Sequence, residues 1–150
     1  NRDLRIVFSP GHAVHHIAIE DSLTGGLFCG DALGFITEDM PDTPFPVGLS
    51  PFNPEAYLET IDRLAALSPE IIFYAHHRAR TEVKELIARL RGITITLGEI
   101  IRGAIEAGTE EAGVFELVLE YARSFSTGSD LPVIVEVGIS GYVDYYRNRK

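Results

Sequence analysis

At 150 residues the chain has the length of about one domain and is long enough to bury a real core. Its formal net charge of −9 speaks against a nucleic-acid partner, because phosphate binding needs concentrated Lys and Arg. No stretch is apolar enough to span a membrane, and the single cysteine, Cys29, excludes an intrachain disulfide and favours a reducing cytoplasm.

In chain order, residues 4–8, 16–20 and 26–30 read as strands, with Asp21 to Gly25 as the turn between the last two. Leu33 to Pro54 is a long connection carrying Pro41, Pro44, Pro46, Pro51 and Pro54, and it either walls a cleft or runs over the surface. Asn53 is placed to cap a helix whose first position is Pro54, where a missing N–H costs nothing. Tyr57, Leu58, Ile61, Leu64 and Ala65 give that helix one apolar face, Ser68-Pro69 ends it, and Ile71 to Tyr74 follows as a strand. Strand, helix, strand in this rhythm is an α/β layer.

Beyond Arg80 the pattern turns helical. Val83, Leu86, Ile87, Leu90, Leu97, Ile100, Ile101 and Ala104 keep a period of about 3.6 residues, with a break allowed at Ile93 to Thr96. Gly108 closes this segment, and Thr109 is placed to cap the next, whose stripe is Val114, Leu117, Val118, Tyr121 and Phe125. Residues 127–130 read as a turn. From Leu131 to Asn148, Val133, Val135 and Val137 alternate like a strand, while Ile134, Val137, Gly141, Tyr142 and Tyr145 share a helical face; helix is the expectation.

Three strands each stop at a residue able to bind a metal. Arg5 to Phe8 runs into Ser9-Pro10-Gly11-His12, Gly26 to Cys29 into Gly30-Asp31, and Ile71 to Tyr74 into Ala75-His76. Two imidazoles and a carboxylate delivered by strand-end loops suit Zn²⁺ or Fe²⁺. A metal lowers the pKa of bound water from 15.7 toward roughly 7 and polarises a carbonyl under attack, while a carboxylate between two ions bridges them. Gly11 and Gly30 leave room for close backbone approach at such turns, and Pro10 stiffens the first.

On these residues the chain resembles the metallo-β-lactamase superfamily. That family's third motif matches Ser9-Pro10-Gly11-His12-Ala13-Val14-His15-His16, its fourth Leu27-Phe28-Cys29-Gly30-Asp31, and its fifth the strand-end His76. The resemblance covers residues 5–77. It implies an α/β fold, with residues 1–80 as the C-terminal half of an αββα metallo-β-lactamase sandwich and residues 81–150 as a helical C-terminal region. It also implies a dinuclear centre of two Zn ions, with Fe or mixed Fe/Zn as alternatives. His12 would serve one ion, His76 the other, and Asp31 would bridge. The implied activity is hydrolysis, with metal-bound hydroxide attacking an ester, thioester or lactone carbonyl of a small-molecule substrate. A di-iron oxygen or nitric oxide reductase is the alternative enzyme.

The family's H-x-H-x-D-H signature occurs nowhere in the chain, so the chain is expected to be the C-terminal half of a metallo-hydrolase. A half-sandwich exposes apolar surface and a sheet edge. The expected partner is therefore the N-terminal half or a second copy in a homo-oligomer, and the isolated fragment is expected to be inactive. Candidate catalytic residues are Asp31 and His16, the latter either supporting the site, facing substrate, or purely structural. His77, Arg78 and Tyr142 are candidate substrate-binding residues, and His77 is an alternative ligand to His76. Arg147 and Lys150 resemble the basic residues with which glyoxalase II-like thioesterases bind glutathione, but Arg78 stands where those enzymes have Tyr, so that specificity is not expected.

Overall fold

A computed structural model describes residues 1–149 apart from 39, 77, 127, 129 and 130. Strands β1 (Leu4–Phe8), β2 (Ile17–Asp21) and β3 (Gly26–Gly30) form an antiparallel meander. Helix α1 (Pro54–Ala66) then carries the chain to β4 (Ile71–Tyr74), which lies parallel to β3, and β5 (Ala79–Arg80) pairs antiparallel with β4 at the far edge. Sheet order follows chain order, β1-β2-β3-β4-β5. Helices α2 (Val83–Glu106), α3 (Glu111–Ala122) and α4 (Leu131–Arg147) complete the chain. This is the α/β arrangement expected, with helices on one side of a mixed sheet.

The side-chain period of two sorts the strands into two faces. Ala18, Leu27, Cys29 and Ile72 are fully buried and join one hydrophobic cluster with residues of all four helices. The opposite face is apolar too. Ile6 pairs with Ile19, Ile19 with Phe28, and Phe28 with Phe73, making a row across four strands in which the two phenylalanine rings stack at 4.4 Å. Ile6 is 67% exposed and Phe28 41%, so this face is uncovered by the described residues. The proposed division between residues 80 and 81 falls between β5 and α2, and the hydrophobic cluster runs across it.

Local chemistry explains two of the element ends that frame the sheet. The Asn53 side chain accepts the Ala56 N–H at 2.9 Å and Pro54 opens α1. Asp21 accepts from the Arg2 guanidinium at 3.0 and 2.8 Å, from the Thr24 hydroxyl and from the Leu23 N–H. Those bonds, the Arg2 pair foremost, hold its carboxyl down to about 2 and fix the turn after β2.

Two expectations need correction. Helix α2 runs unbroken through Ile93 to Thr96, because Ile93 and Thr94 are buried and the Thr94 hydroxyl donates back to the Leu90 carbonyl at 2.8 Å. Packing overrides propensity there. Thr109 does not cap α3, which begins after Glu110 with no side-chain cap. Its N–H instead bonds Ala104 O at 2.9 Å while Gly108, at φ +77°, bonds Ile105 O, so the pair closes α2 in a Schellman motif. Strand β5 is too short to carry a sequence pattern. Of the turn expected at 127–130, Thr127, Ser129 and Asp130 lie outside the described residues. Among the described residues no helix is long and apolar enough to cross a membrane.

Candidate metal centre

The turn after β1 is held from several sides. Ser9 N–H donates to His16 O at 2.8 Å, Asn53 N–H to Gly11 O at 3.1 Å, and the Thr60 hydroxyl to Pro10 O at 2.6 Å. Gly11 has φ +125°, and a Cβ on it would stand 2.4 Å from Tyr57 Cα, so glycine is what lets α1 seat on the turn. His12 leaves this turn with its Nδ1 2.9 Å from the Val47 carbonyl. A carbonyl only accepts, so Nδ1 carries the proton, and a neutral ring presents its lone pair at Nε2.

Asp31 follows Gly30, whose φ of +54° turns the chain at the end of β3. The Asp31 N–H donates to His16 Nε2 at 3.2 Å, and its carbonyl accepts from the Tyr57 hydroxyl at 3.1 Å. A Cβ on Gly30 would fall 2.6 Å from His16 Nε2, so the glycine also makes room for that imidazole. Burial, reinforced by neighbouring His12, pushes the His16 imidazole below its ordinary pKa, which suits an Nε2 that accepts. The His16 ring stands edge-on to His12 with centroids 5.6 Å apart. Its geometry is that of a group positioning Asp31 and His12; it does not line the cleft described below.

The Asp31 carboxylate is the meeting point. Its Oδ2 lies 3.6 Å from His12 Nε2, and its Oδ1 lies 3.5 Å from His76 Nε2. Both spacings are too long for good N–H···O bonds, and Oδ1 is buried with no hydrogen-bond partner among the described residues. A buried oxygen left so is costly. Two donors on one tetrahedral ion at about 2.0–2.2 Å stand roughly 3.4 Å apart, which is close to both spacings. The residues therefore fit a pair of metal positions, one on each carboxylate oxygen. Each position has only two donors here, and among the described residues no group of three or more His, Cys, Asp or Glu converges to hold an ion. The closest approach of each imidazole is to a different oxygen, His12 to Oδ2 and His76 to Oδ1.

His12, Asp31 and His76 open on a cleft of about 340 Å³ whose other walls are Phe35, Val47, Leu49 and Val137. These four walls are invisible to motif reading because they come together only in the folded chain. So does Arg80, whose guanidinium bonds the Pro41 carbonyl, Asp42 at 2.8 Å and Glu82 at 3.1 Å. It ties the long loop that starts at Asp31 to the strand that follows His76.

The other sequence candidates fall elsewhere. Tyr142 is fully buried, its ring 4.4 Å from that of Phe52, with Gly48 so close that a Cβ there would lie 2.8 Å away. The substrate-binding expectation is corrected: Tyr142 locks α4 to the long loop. Arg78 is exposed and outside the cleft, while His77 and Lys150 lie outside the described residues. Arg147 donates to Glu111 at 2.7 Å, so it is engaged within the helical layer. Cys29 behaves as a small buried hydrophobe whose thiol is pushed up to about 12 by burial.

The sequence profile of the metallo-beta-lactamase superfamily matches residues 1–76. A metallo-beta-lactamase fold-containing protein, ST1585 of Sulfurisphaera tokodaii, is 31% identical over a match that takes in 69% of this chain and 42% of the relative. The solved structure of metallo-beta-lactamase family protein TTHA1429 from Thermus thermophilus superposes with a TM-score of 0.61 at 20% identity, covering 97% of this chain and 44% of that one. A beta-lactamase domain protein from Burkholderia ambifaria does so with a TM-score of 0.61 at 19% identity, covering 98% and 42%. The chain thus spans less than half the length of each of these relatives. With the profile running from residue 1 to His76, the last of the three ligand-type residues His12, Asp31 and His76, the chain belongs to the metallo-beta-lactamase superfamily.

Proposed function

We propose that the complete protein is a metal-dependent hydrolase acting on an ester, thioester or lactone carbonyl of a small molecule. The superfamily consists mostly of hydrolases and its members typically bind metal ions. The observation that carries the reading is the Asp31 carboxylate, flanked on its two oxygens by the Nε2 atoms of His12 and His76 at 3.6 and 3.5 Å. Asp31 would bridge two positions, with His12 serving one and His76 the other; the ligand set suits two Zn²⁺ ions, with Fe or mixed Fe/Zn as the alternative. When bound, such ions supply an activated water at neutral pH and polarise the carbonyl under attack.

This chain's own residues prepare the site. The Val47 carbonyl holds His12 in the tautomer that frees Nε2, and His16 holds the Asp31 backbone through its N–H. Helix α4 contributes Val137 to the cleft wall, so the helical region helps shape the substrate pocket. Further donors come from outside these residues, from an N-terminal half or a second copy that also covers the Ile6–Ile19–Phe28–Phe73 row. A cytoplasmic location goes with this reading.

The test is metal content by plasma mass spectrometry together with turnover of activated esters by the complete protein. About two ions per protein, and loss of both ions and activity in Asp31→Ala, support the reading; iron with oxygen reduction and no ester turnover moves it to the di-iron class. Ester hydrolysis that survives Asp31→Ala contradicts it.

A further inference from the structure

We infer that the cleft beside Asp31 receives the apolar acyl chain of an uncharged substrate, with the reacting carbonyl at the histidine end; this rests on the hydrolase reading above. Phe35, Val47, Leu49 and Val137 come from three separate stretches, two arms of the long loop and the exposed side of α4, yet all four are apolar. Leu49 is 44% exposed and Val137 41%, so burial in the chain's own core does not explain them. Their neighbours hold them in place. Phe35 and Phe45 exchange backbone hydrogen bonds of 3.0 and 2.9 Å, which fixes the first arm against the second. Gly48 N–H donates to Gly138 O at 3.0 Å, which fastens the segment bearing Val47 and Leu49 to α4 one residue from Val137. The walls are therefore pre-formed.

Charge makes the choice of occupant. Among the described residues, the titratable groups lining the cleft are His12, Asp31 and His76, both histidines lying within 3.6 Å of the Asp31 carboxylate. A carboxylate or phosphate lying along Phe35, Val47, Leu49 and Val137 would lose water against four apolar walls that offer it no cation, which is costly. A hydrocarbon chain loses nothing there and gains by burial. The volume of about 340 Å³ lies in the range of small-molecule sites. Chain length, rather than a charged handle, is thus what the cleft reads.

The experiment uses the complete protein and two readouts. Binding of N-methylbutanamide, N-methylhexanamide and N-methyloctanamide is measured by ligand-observed NMR on metal-depleted protein, and turnover is measured with p-nitrophenyl acetate, butyrate and octanoate on metal-loaded protein. Affinity is expected to rise about two- to fourfold per added methylene. Val137→Asp should abolish that dependence, and the nearly isosteric Val137→Thr should weaken it while leaving packing intact. Affinity that is independent of chain length, or a dependence that Val137→Asp and Leu49→Asp both leave unchanged, overturns the inference. Chain-length-dependent binding without turnover of any ester keeps the acyl cleft and sinks the hydrolase reading. Turnover with flat binding does the reverse.

Discussion

His12 and His76 face the same carboxylate from settings that differ sharply. The His12 side chain is 13% exposed, takes the Val47 carbonyl on Nδ1 and packs against His16. His76 is 68% exposed, and its Nε2 faces the Asp31 oxygen that has no hydrogen-bond partner among the described residues. Among the described residues, the His12 side of the proposed centre is held by an outer hydrogen bond, while His76 stands exposed beside Asp31. A ring oriented by its outer hydrogen bond meets a metal with little left to order, whereas an exposed ring must be fixed at the moment of binding. The comparison teaches that the two positions of the proposed centre need not be filled with equal ease, because among the described residues His12 has an outer hydrogen bond to orient it.

The largest effect should follow from removing what the halves share. Asp31→Ala is expected to empty both positions and lower kcat/KM by more than about a hundredfold, beyond the 10–100-fold usual for losing an outer-shell partner; metal analysis and steady-state kinetics check it. His16→Ala sits next. It deprives the Asp31 N–H of its acceptor, and a 10–100-fold loss of metal affinity is expected, read by competition with a chromophoric chelator.

Stability separates the two histidines more finely. In metal-free protein, His12→Ala leaves the Val47 carbonyl without its donor and should cost about 1–3 kcal/mol. His76→Ala, at an exposed site, should change stability by no more than about 0.5 kcal/mol. Equal losses in denaturant melts would erase the contrast. Gly30→Ala should cost about 1–2 kcal/mol from its left-handed backbone alone, with more from the collision with His16.

The smallest effect lies away from the centre. Asp21 has a folded pKa of about 2, below its unfolded value near 3.9, so its contribution is complete above about pH 4 and is lost as pH falls toward 2. Asp21→Asn should flatten this part of the acid-unfolding curve whether or not metal is present. A flattening seen only with metal bound would tie Asp21 to the centre instead.

How far this was legible in the sequence depends on how local the cause is. Asn53-Pro54 announces a helix start, and the strand-end positions of His12, Asp31 and His76 announce that these side chains meet, because each signal lies within a few residues. The continuity of α2 through Ile93 to Thr96 was not legible, since burial against other helices decides it. Thr109 has the right residue type for a cap but is used through its N–H to finish the preceding helix. Tyr142 sits in a tail of aromatics and cations that looks like surface, and only the approach of Gly48 and Phe52 shows it to be core. The cleft walls carry no sequence signal for the same reason: Phe35 and Val137 are about a hundred positions apart until the chain folds.

The most direct test is a Zn²⁺ titration of the complete protein and of its His12→Ala, His76→Ala and Asp31→Ala variants, followed to saturation by metal analysis. Two half-centres sharing one carboxylate predict two ions bound by the parent, about one by each histidine variant, and none by Asp31→Ala. Two ions retained in Asp31→Ala would contradict the shared bridge on which the whole reading stands.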